Sequence, residues 1–285
     1  MPSLTLTAPA KINLFLSITG KNDNGYHALQ SLIAFTKNFG DVITITPANE
    51  FSFSFDSTAD HLPTDDNNLV ICAANLLAST LGKDLNCAIH LSKHIPIGAG
   101  LGGGSSDAAT TIKGLLKFWE VDNIDQKQLD NILLQLGADV PSCYHAQPCY
   151  FEGIGEIITP LDNFSSCSAV LVYPNQHCST QDIFKNFNEE FSKPISLPAN
   201  FTNRKDMIEF LHHQKNDLTF AAIKNIPEIS DVLQAIEMQK NCFVSRMSGS
   251  GSACFGLFPT DEDARHAVKS ITQKHPNWWI QQVSI

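Results

Sequence analysis

Apolar and polar residues alternate with period two through much of the first fifty-six positions, and that pattern predicts strands. Residues 4–7 and 12–18 alternate, and 29–36 and 42–46 follow. Phe51, Phe53 and Phe55 place three rings on one face of a further strand, where they read as core rather than a ligand platform. Asn22, Asp23, Asn24 and Gly25 mark a turn. Near residue 68 the period becomes helical, with Leu69, Cys72, Leu76, Leu77 and Thr80 along one stripe of 68–81. A strand at 87–91 leads into a glycine cluster. Helices are predicted over 105–119 and 125–136, the latter stopped by Gly137, and a hairpin over 149–159.

Pro160 and the polar stretch 162–168 mark a boundary, so two domains are expected, 1–160 and 161–285. The second half opens with a strand at 169–173, followed by helices near 180–187, 206–213, 217–223 and 228–239. A strand at 242–246, a glycine turn, a strand at 253–258, a helix at 262–273 and a strand at 278–283 complete it. Strands alternate with helices but begin as an antiparallel-looking block, which makes the fold class α+β.

Composition narrows the partners. The 285 residues are 43% hydrophobic and only 17% charged, and the formal net charge is −10. Nucleic acid and anionic membrane both require a field of positive potential, so neither is an expected partner. No apolar run approaches the roughly 20 residues that span a bilayer. The first segment lacks a basic n-region and is interrupted by Lys11 and Asn13. No signal peptide is read there, and a cytoplasmic location is expected. Eight cysteines, none spaced C-x-x-C, read as buried reduced thiols. His90 and His94 are four apart, but Pro96 and their strand-like surroundings argue against a helical metal face.

The chemistry concentrates at Pro96-Ile97-Gly98-Ala99-Gly100-Leu101-Gly102-Gly103-Gly104-Ser105-Ser106-Asp107. Ala108, Ala109, Ile112, Leu115, Leu116 and Trp119 follow at helical spacing, so the glycines open onto a helix N-terminus. Unpaired backbone N–H groups and the positive end of a helix dipole favour an anion there, with no Cβ to block its approach. Ser105 and Ser106 can cap the helix, donate to phosphate oxygens, or both. A Walker loop is excluded because Gly104 stands where its Lys should be. Gly98-x-Gly100-x-x-Gly103 satisfies a dinucleotide fingerprint, but no βαβ unit begins the chain. Protein-kinase H-R-D and D-F-G sequences are absent.

This stretch resembles the phosphate loop of the GHMP superfamily of small-molecule kinases, which includes galactokinase, homoserine kinase and mevalonate kinase. Pro9-Ala10-Lys11-Ile12-Asn13-Leu14 resembles the family's first motif, and Met247-Ser248-Gly249-Ser250-Gly251-Ser252-Ala253-Cys254-Phe255 its third. The three lie in family order between residues 9 and 258. Gly25-Tyr26-His27, Gly137-Ala138-Asp139-Val140-Pro141 and Glu152-Gly153-Ile154-Gly155-Glu156 resemble the branch whose acceptor is a cytidine diphosphate conjugate of methylerythritol.

The resemblance implies a two-domain fold, an N-terminal mixed-sheet nucleotide-binding domain and a smaller C-terminal α/β sandwich. It implies transfer of the γ-phosphate of ATP, with Mg²⁺, to the 2-hydroxyl of the methylerythritol unit, within non-mevalonate isoprenoid synthesis. Asp139 would accept the hydroxyl proton and Lys11 would pair with it and steady the alkoxide; the plain alternative for Lys11 is an edge-strand residue reaching solvent. Two places before Pro141, Asp139 is expected in rigid, extended backbone. Asn13 and Thr180 would lie near the acceptor, with Tyr26, His27 and Phe184 at the cytidine end. Taken alone, Phe184 reads as a buried helix aromatic. The triphosphate would lie against Gly100, Leu101, Gly102, Gly103, Gly104, Ser105 and Ser106, and adenine near Asn68, Leu69 and Lys93, with Pro96 and Gly98 also among the ATP-binding residues. Asp107 either helps place magnesium or is an acid favoured in a first helical turn. Other superfamily members are disfavoured by Tyr26-His27, and a non-catalytic sensor by the presence of both Lys11 and Asp139. Small-molecule substrate and ATP are the expected partners; the sequence leaves oligomeric state open.

Overall fold

Two long strands, β1 (Leu4–Lys21) and β2 (His27–Pro47), each join a pair of segments that the hydrophobic pattern separates. In β1 every side chain from Ala10 to Ile18 is buried. A strand covered on both faces loses the alternation that would trace it. In β2 the glycine that resembles a turn residue, Gly40, allows close backbone approach: a Cβ there would lie 2.3 Å from Ala8 O. The coordinates, a computed structural model, describe residues 2–23, 25–56, 67–188 and 190–285. Asn24 of the expected turn lies outside the described residues. Asn22 N donates to Tyr26 O and Gly25 N to Asn22 O.

The described residues form two compact units. One comprises those up to Ala10, Phe39–Ile97 and Gly102–Ala146; the other comprises Lys11–Asn38, Gly98–Leu101 and Gln147–Ile285.

In the first unit, β3 (Ser52–Asp56) pairs parallel with β4 (Cys87–Ser92), which pairs antiparallel with Val42 to Pro47 of β2. The sheet is therefore mixed. As the edge strand, β3 leaves Phe53 and Phe55 only half-buried, stacked at 6.2 Å, not in the core. Helices α1 (Leu69–Leu81), α2 (Gly103–Phe118), α3 (Gln126–Leu136) and α4 (Val140–His145) complete the unit. Asn68 Oδ1 caps α1 by accepting Val70 N at 2.9 Å, and left-handed Gly82 ends the helix. A Cβ on Gly114 would lie 2.7 Å from Ile45 Cδ1, so α2 rests close against β2.

In the second unit, Leu29 to Ile33 of β2 pair with β5 (Cys149–Gly153), which pairs in turn with β6 (Ile157–Pro160). A separate antiparallel sheet follows in the order β10 (Trp279–Ser284), β7 (Ser168–Tyr173), β9 (Cys254–Phe258), β8 (Val244–Met247). Its helices are α5 (Thr180–Asn186), α6 (Arg204–His212), α7 (Thr219–Asn225), α8 (Glu228–Glu237) and α9 (Asp261–Lys274). Val170, Val172, Ile229, Val232, Ile236, Phe258 and Ile271 join sheet to helices in one core. All eight cysteines are free thiols, six of them buried. Among the described residues no helix is long and apolar enough to cross a membrane.

Candidate active site

The glycine cluster contributes to both units. In the second, Gly98 and Gly100 have φ of 65° and 78°, and the segment is held from two sides. Lys11 N of β1 donates to Leu101 O at 2.9 Å, and Ala253 N donates to Ala99 O at 2.9 Å. The Ser248 hydroxyl donates to Gly100 O at 3.0 Å and accepts from Asn13 N at 3.1 Å. One hydroxyl thus joins all three sequence motifs. A Cβ on Gly100 would lie 2.6 Å from Ser248 O, so the packing itself excludes a side chain.

Asn13 Nδ2 donates to Ser31 Oγ at 2.9 Å, while its Oδ1 is buried without a hydrogen-bond partner. A buried amide oxygen left in this state costs free energy unless a ligand satisfies it. Lys11 is 5% exposed, which removes the solvent-reaching alternative. Burial raises the Cys149 thiol pKa to about 11 even though the Lys11 charge opposes the shift. Thr180, the first residue of α5, has its hydroxyl 2.8 Å from that of Ser250. Asn216 Nδ2 holds the third motif's turn by donating to Met247 O and Gly249 O, both at 2.8 Å.

At the start of β2, His27 stacks on Phe184 with ring centroids 5.3 Å apart and an interplanar angle of 28°. Phe187 and Phe191 present their edges to the same imidazole. Partial burial, with help from Lys21, holds the His27 pKa below its ordinary value, so the ring is neutral at pH 7. Tyr26 is 64% exposed, and Phe184 is half-buried.

In the first unit, α2 starts at Gly103 behind left-handed Gly102 (φ 63°), earlier than the pattern suggests, and no side chain caps it. Ser105 and Ser106 therefore lie inside the first turns and are not caps. Ser106 is fully buried, its N–H bonded to Gly102 O and its hydroxyl unpartnered. Gly104 is exposed, and a Cβ on it would only touch Leu69. Pro96 is half-buried ahead of the loop.

Lys93, with a side chain 4% exposed, is ion-paired to Asp41 and, at 2.7 Å, to Asp107. Asp107 is thus a buried ion-pair partner in the interior of α2, not a dipole-favoured acid of the first turn. Its second oxygen, Oδ1, has no partner. Burial pushes its pKa up to about 8 against the pull of Lys93, and Asp41 adds repulsion. Burial opposes the ammonium of Lys93, but the two carboxylates hold its pKa above the ordinary value. Asp41 also accepts from His94 N and Ile95 N.

Asp139 is half-buried and immediately precedes α4. Its φ and ψ of −83° and −17° are helical, not extended, because the residue directly before Pro141 is Val140 and α4 already begins there. Its carbonyl accepts from Cys143 N and from the Ser142 hydroxyl, and its carboxylate does not cap the helix.

Sequence reasoning missed Asp41 and the clasp role of Ser248. Asp41 carries a faint signal, an acid opening the apolar run Val42-Ile43. Its partner Lys93 is 52 positions away.

A glycine turn at a helix start, braced by a β1 lysine motif and a second glycine turn, defines the GHMP class of small-molecule kinases. The family models described as "GHMP kinases N terminal domain" and "GHMP kinases C terminal" match residues 68–147 and 196–277. A 4-diphosphocytidyl-2-C-methyl-D-erythritol kinase of Paramagnetospirillum magneticum is 40% identical over 98% of this chain and 98% of its own. The enzyme of the same name from Wolbachia pipientis wMel is 37% identical over the same shares. A crystal structure of 4-(cytidine 5'-diphospho)-2C-methyl-D-erythritol kinase superposes with a TM-score of 0.80 at 29% identity, covering 98% of this chain and 99% of that one. Homoserine kinase from Cytophaga hutchinsonii shares the fold, with a TM-score of 0.73 at 17% identity, covering 100% of this chain and 94% of that one. The chain belongs to the 4-diphosphocytidyl-2-C-methyl-D-erythritol kinase family. It is accordingly an ATP-using small-molecule kinase, and the expected α+β GHMP kinase fold is the fold observed.

Proposed function

We propose that this protein transfers the γ-phosphate of ATP to the 2-hydroxyl of 4-(cytidine 5'-diphospho)-2-C-methyl-D-erythritol, giving the 2-phosphate and ADP, in the cytoplasm and within non-mevalonate isoprenoid synthesis. The observation that carries this reading is the near-full-length identity to relatives bearing one enzyme's name. Homoserine kinase and mevalonate kinase share only the fold.

Phosphoryl transfer to an alcohol asks the protein mainly for positioning, charge and a proton acceptor. Asp139 accepts the proton of the 2-hydroxyl, and Lys11, already desolvated in β1, steadies the alkoxide. Asn13 Oδ1, buried without a partner, and the Thr180 hydroxyl orient the methylerythritol hydroxyls. His27 is neutral near pH 7 and can therefore both donate to and accept from the cytosine edge, while Tyr26 and Phe184 pack on the base.

The triphosphate lies along Pro96, Gly98, Gly100, Leu101, Gly102, Gly103, Gly104, Ser105 and Ser106, with adenine beside Asn68, Leu69 and Lys93. Ser106 Oγ and Asp107 Oδ1 are buried oxygens without partners, the hard donors that Mg²⁺ prefers. They fit a magnesium ion held jointly with the nucleotide phosphates, and such an ion would neutralise phosphate charge.

A coupled ADP-release assay offering the cytidine diphosphate substrate, homoserine and mevalonate separately tests the assignment. Turnover is expected with the first alone. Folded protein that phosphorylates homoserine or mevalonate instead would overturn the reading. In the same assay Asp139→Asn should lower kcat by about 10²–10⁴-fold, the usual span for a lost general base. The dissociation constant for ATP should hardly change.

A further inference from the structure

We infer that Asp41 is a positioning residue of the ATP site: its carboxylate fixes the backbone that enters the glycine cluster and holds Lys93 behind the first residue of α2. The inference rests on the reading that ATP phosphates lie at the start of α2.

Asp41 is fully buried in β2. Its neighbour Gly40 fixes the strand locally, because β1 approaches too closely for a side chain. Asp41 Oδ1 accepts from two consecutive amides, His94 N at 2.6 Å and Ile95 N at 2.8 Å, and Oδ2 accepts from Lys93 Nζ. His94 Nδ1 lies 3.1 Å from Gly40 O, tying the same segment to the same strand. A carboxylate gripping successive peptide N–H groups sets both peptide planes, as an anion does in a backbone nest. The planes thus fixed immediately precede Pro96 and the glycine cluster.

Lys93 carries the constraint to the helix. Its Nζ lies 2.9 Å from the position a Cβ on Gly103 would occupy, and Gly103 opens α2. An ammonium beside the positive end of a helix dipole is unfavourable on its own. Asp41 and Asp107 hold it there through their carboxyl oxygens, at the first residue of the helix whose N–H groups the proposed function assigns to phosphate. Asp41 touches no nucleotide in this arrangement. It sets where the groups that do so stand.

Asp41→Asn keeps the shape and the acceptor for the two amides, but turns an NH₂ donor toward the ammonium of Lys93. ATP affinity, measured by equilibrium binding on the full chain, should fall about 10-fold or more. KM for the cytidine diphosphate substrate should stay within about twofold. Amide hydrogen exchange should accelerate over residues 93–106. Asp41→Glu, which keeps the charge but shifts the grip by one methylene, should show the same split and serves if the Asn variant does not fold. A lowered melting temperature with both affinities unchanged would reduce Asp41 to a structural residue and overturn the inference, as would equal weakening of both substrates. Failure of the underlying reading looks different: a non-hydrolysable ATP analogue would then leave exchange over 98–106 of the unmodified protein unaltered.

Discussion

Charge state decides much of what single residues do here. His27 stacks on Phe184 as a neutral ring because burial and Lys21 depress its pKa. The linkage sign follows. As pH falls through the ordinary value of 6.5, the unfolded chain takes up this proton before the folded chain does. Folding stability is therefore complete above pH 6.5 and declines toward the lowered folded pKa. The ring is only partly buried, so the effect is small. Melting temperatures scanned from pH 8 to 5 should fall less for His27→Gln than for the unmodified protein across that window. Equal slopes would mean that this imidazole does not contribute. Arg246 shows the opposite outcome of burial: desolvation lowers it to about 10, yet it stays charged at pH 7 and donates to Leu14 O, Leu211 O and Gln214 O.

Among elements, the loop between β4 and α2 shows how a glycine-rich sequence becomes a fixed shape. Gly100 is left-handed and lies between the backbones of Ser248 and Gly251. Gly100→Ala should destabilise the protein by about 2 kcal/mol or more, since left-handed backbone disfavours a Cβ and the carbonyls opposite cannot swing away as a side chain would. Denaturant titration measures the loss, and stability equal to that of the unmodified protein would refute the clasp.

This loop was legible in the sequence because its chemistry is local: glycines, serines and the following helical stripe are contiguous. The stop of α3 at Gly137 was legible for the same reason. Other features depend on partners far along the chain. The continuity of β2 through Gly40 is set by Ala8, and the burial of Asp107 by Asp41 and Lys93. Helix α4 is only 6 residues long with a proline at its start, too short to show a period, so Asp139 read as extended when it is helical. The orphaned oxygens of Asn13 and Ser106 are properties of packing and have no sequence signature.

At the scale of the molecule, a net charge of −10 does not hinder the binding of small anions where local donors hold them. The donors proposed for phosphate are backbone N–H groups and one helix N-terminus, neither of which needs a basic exterior. The two compact units also interleave in sequence: Lys11–Asn38 clusters with Gln147–Ile285, while Phe39–Ile97 and Gly102–Ala146 cluster with the residues up to Ala10.

During synthesis, that interleaving makes an early segment wait for a late one. Ile12, Leu14, Phe15, Ile18, Leu32 and Ile33, all fully buried in the finished protein, leave the ribosome long before Val170, Ile229 or Phe258 exist. At about 5–20 residues per second, the stretch from Asn38 to Ile285 takes roughly 10–50 s to make. For that interval two apolar strands stand without their unit, the kind of segment that chaperones hold and that aggregates when they do not. In ribosome-bound chains stalled at successive lengths, residues 11–38 should gain protease protection only once β7 to β9 have emerged. Protection already present in chains stalled near Ala146 would show that these strands find shelter earlier than the interleaved units imply.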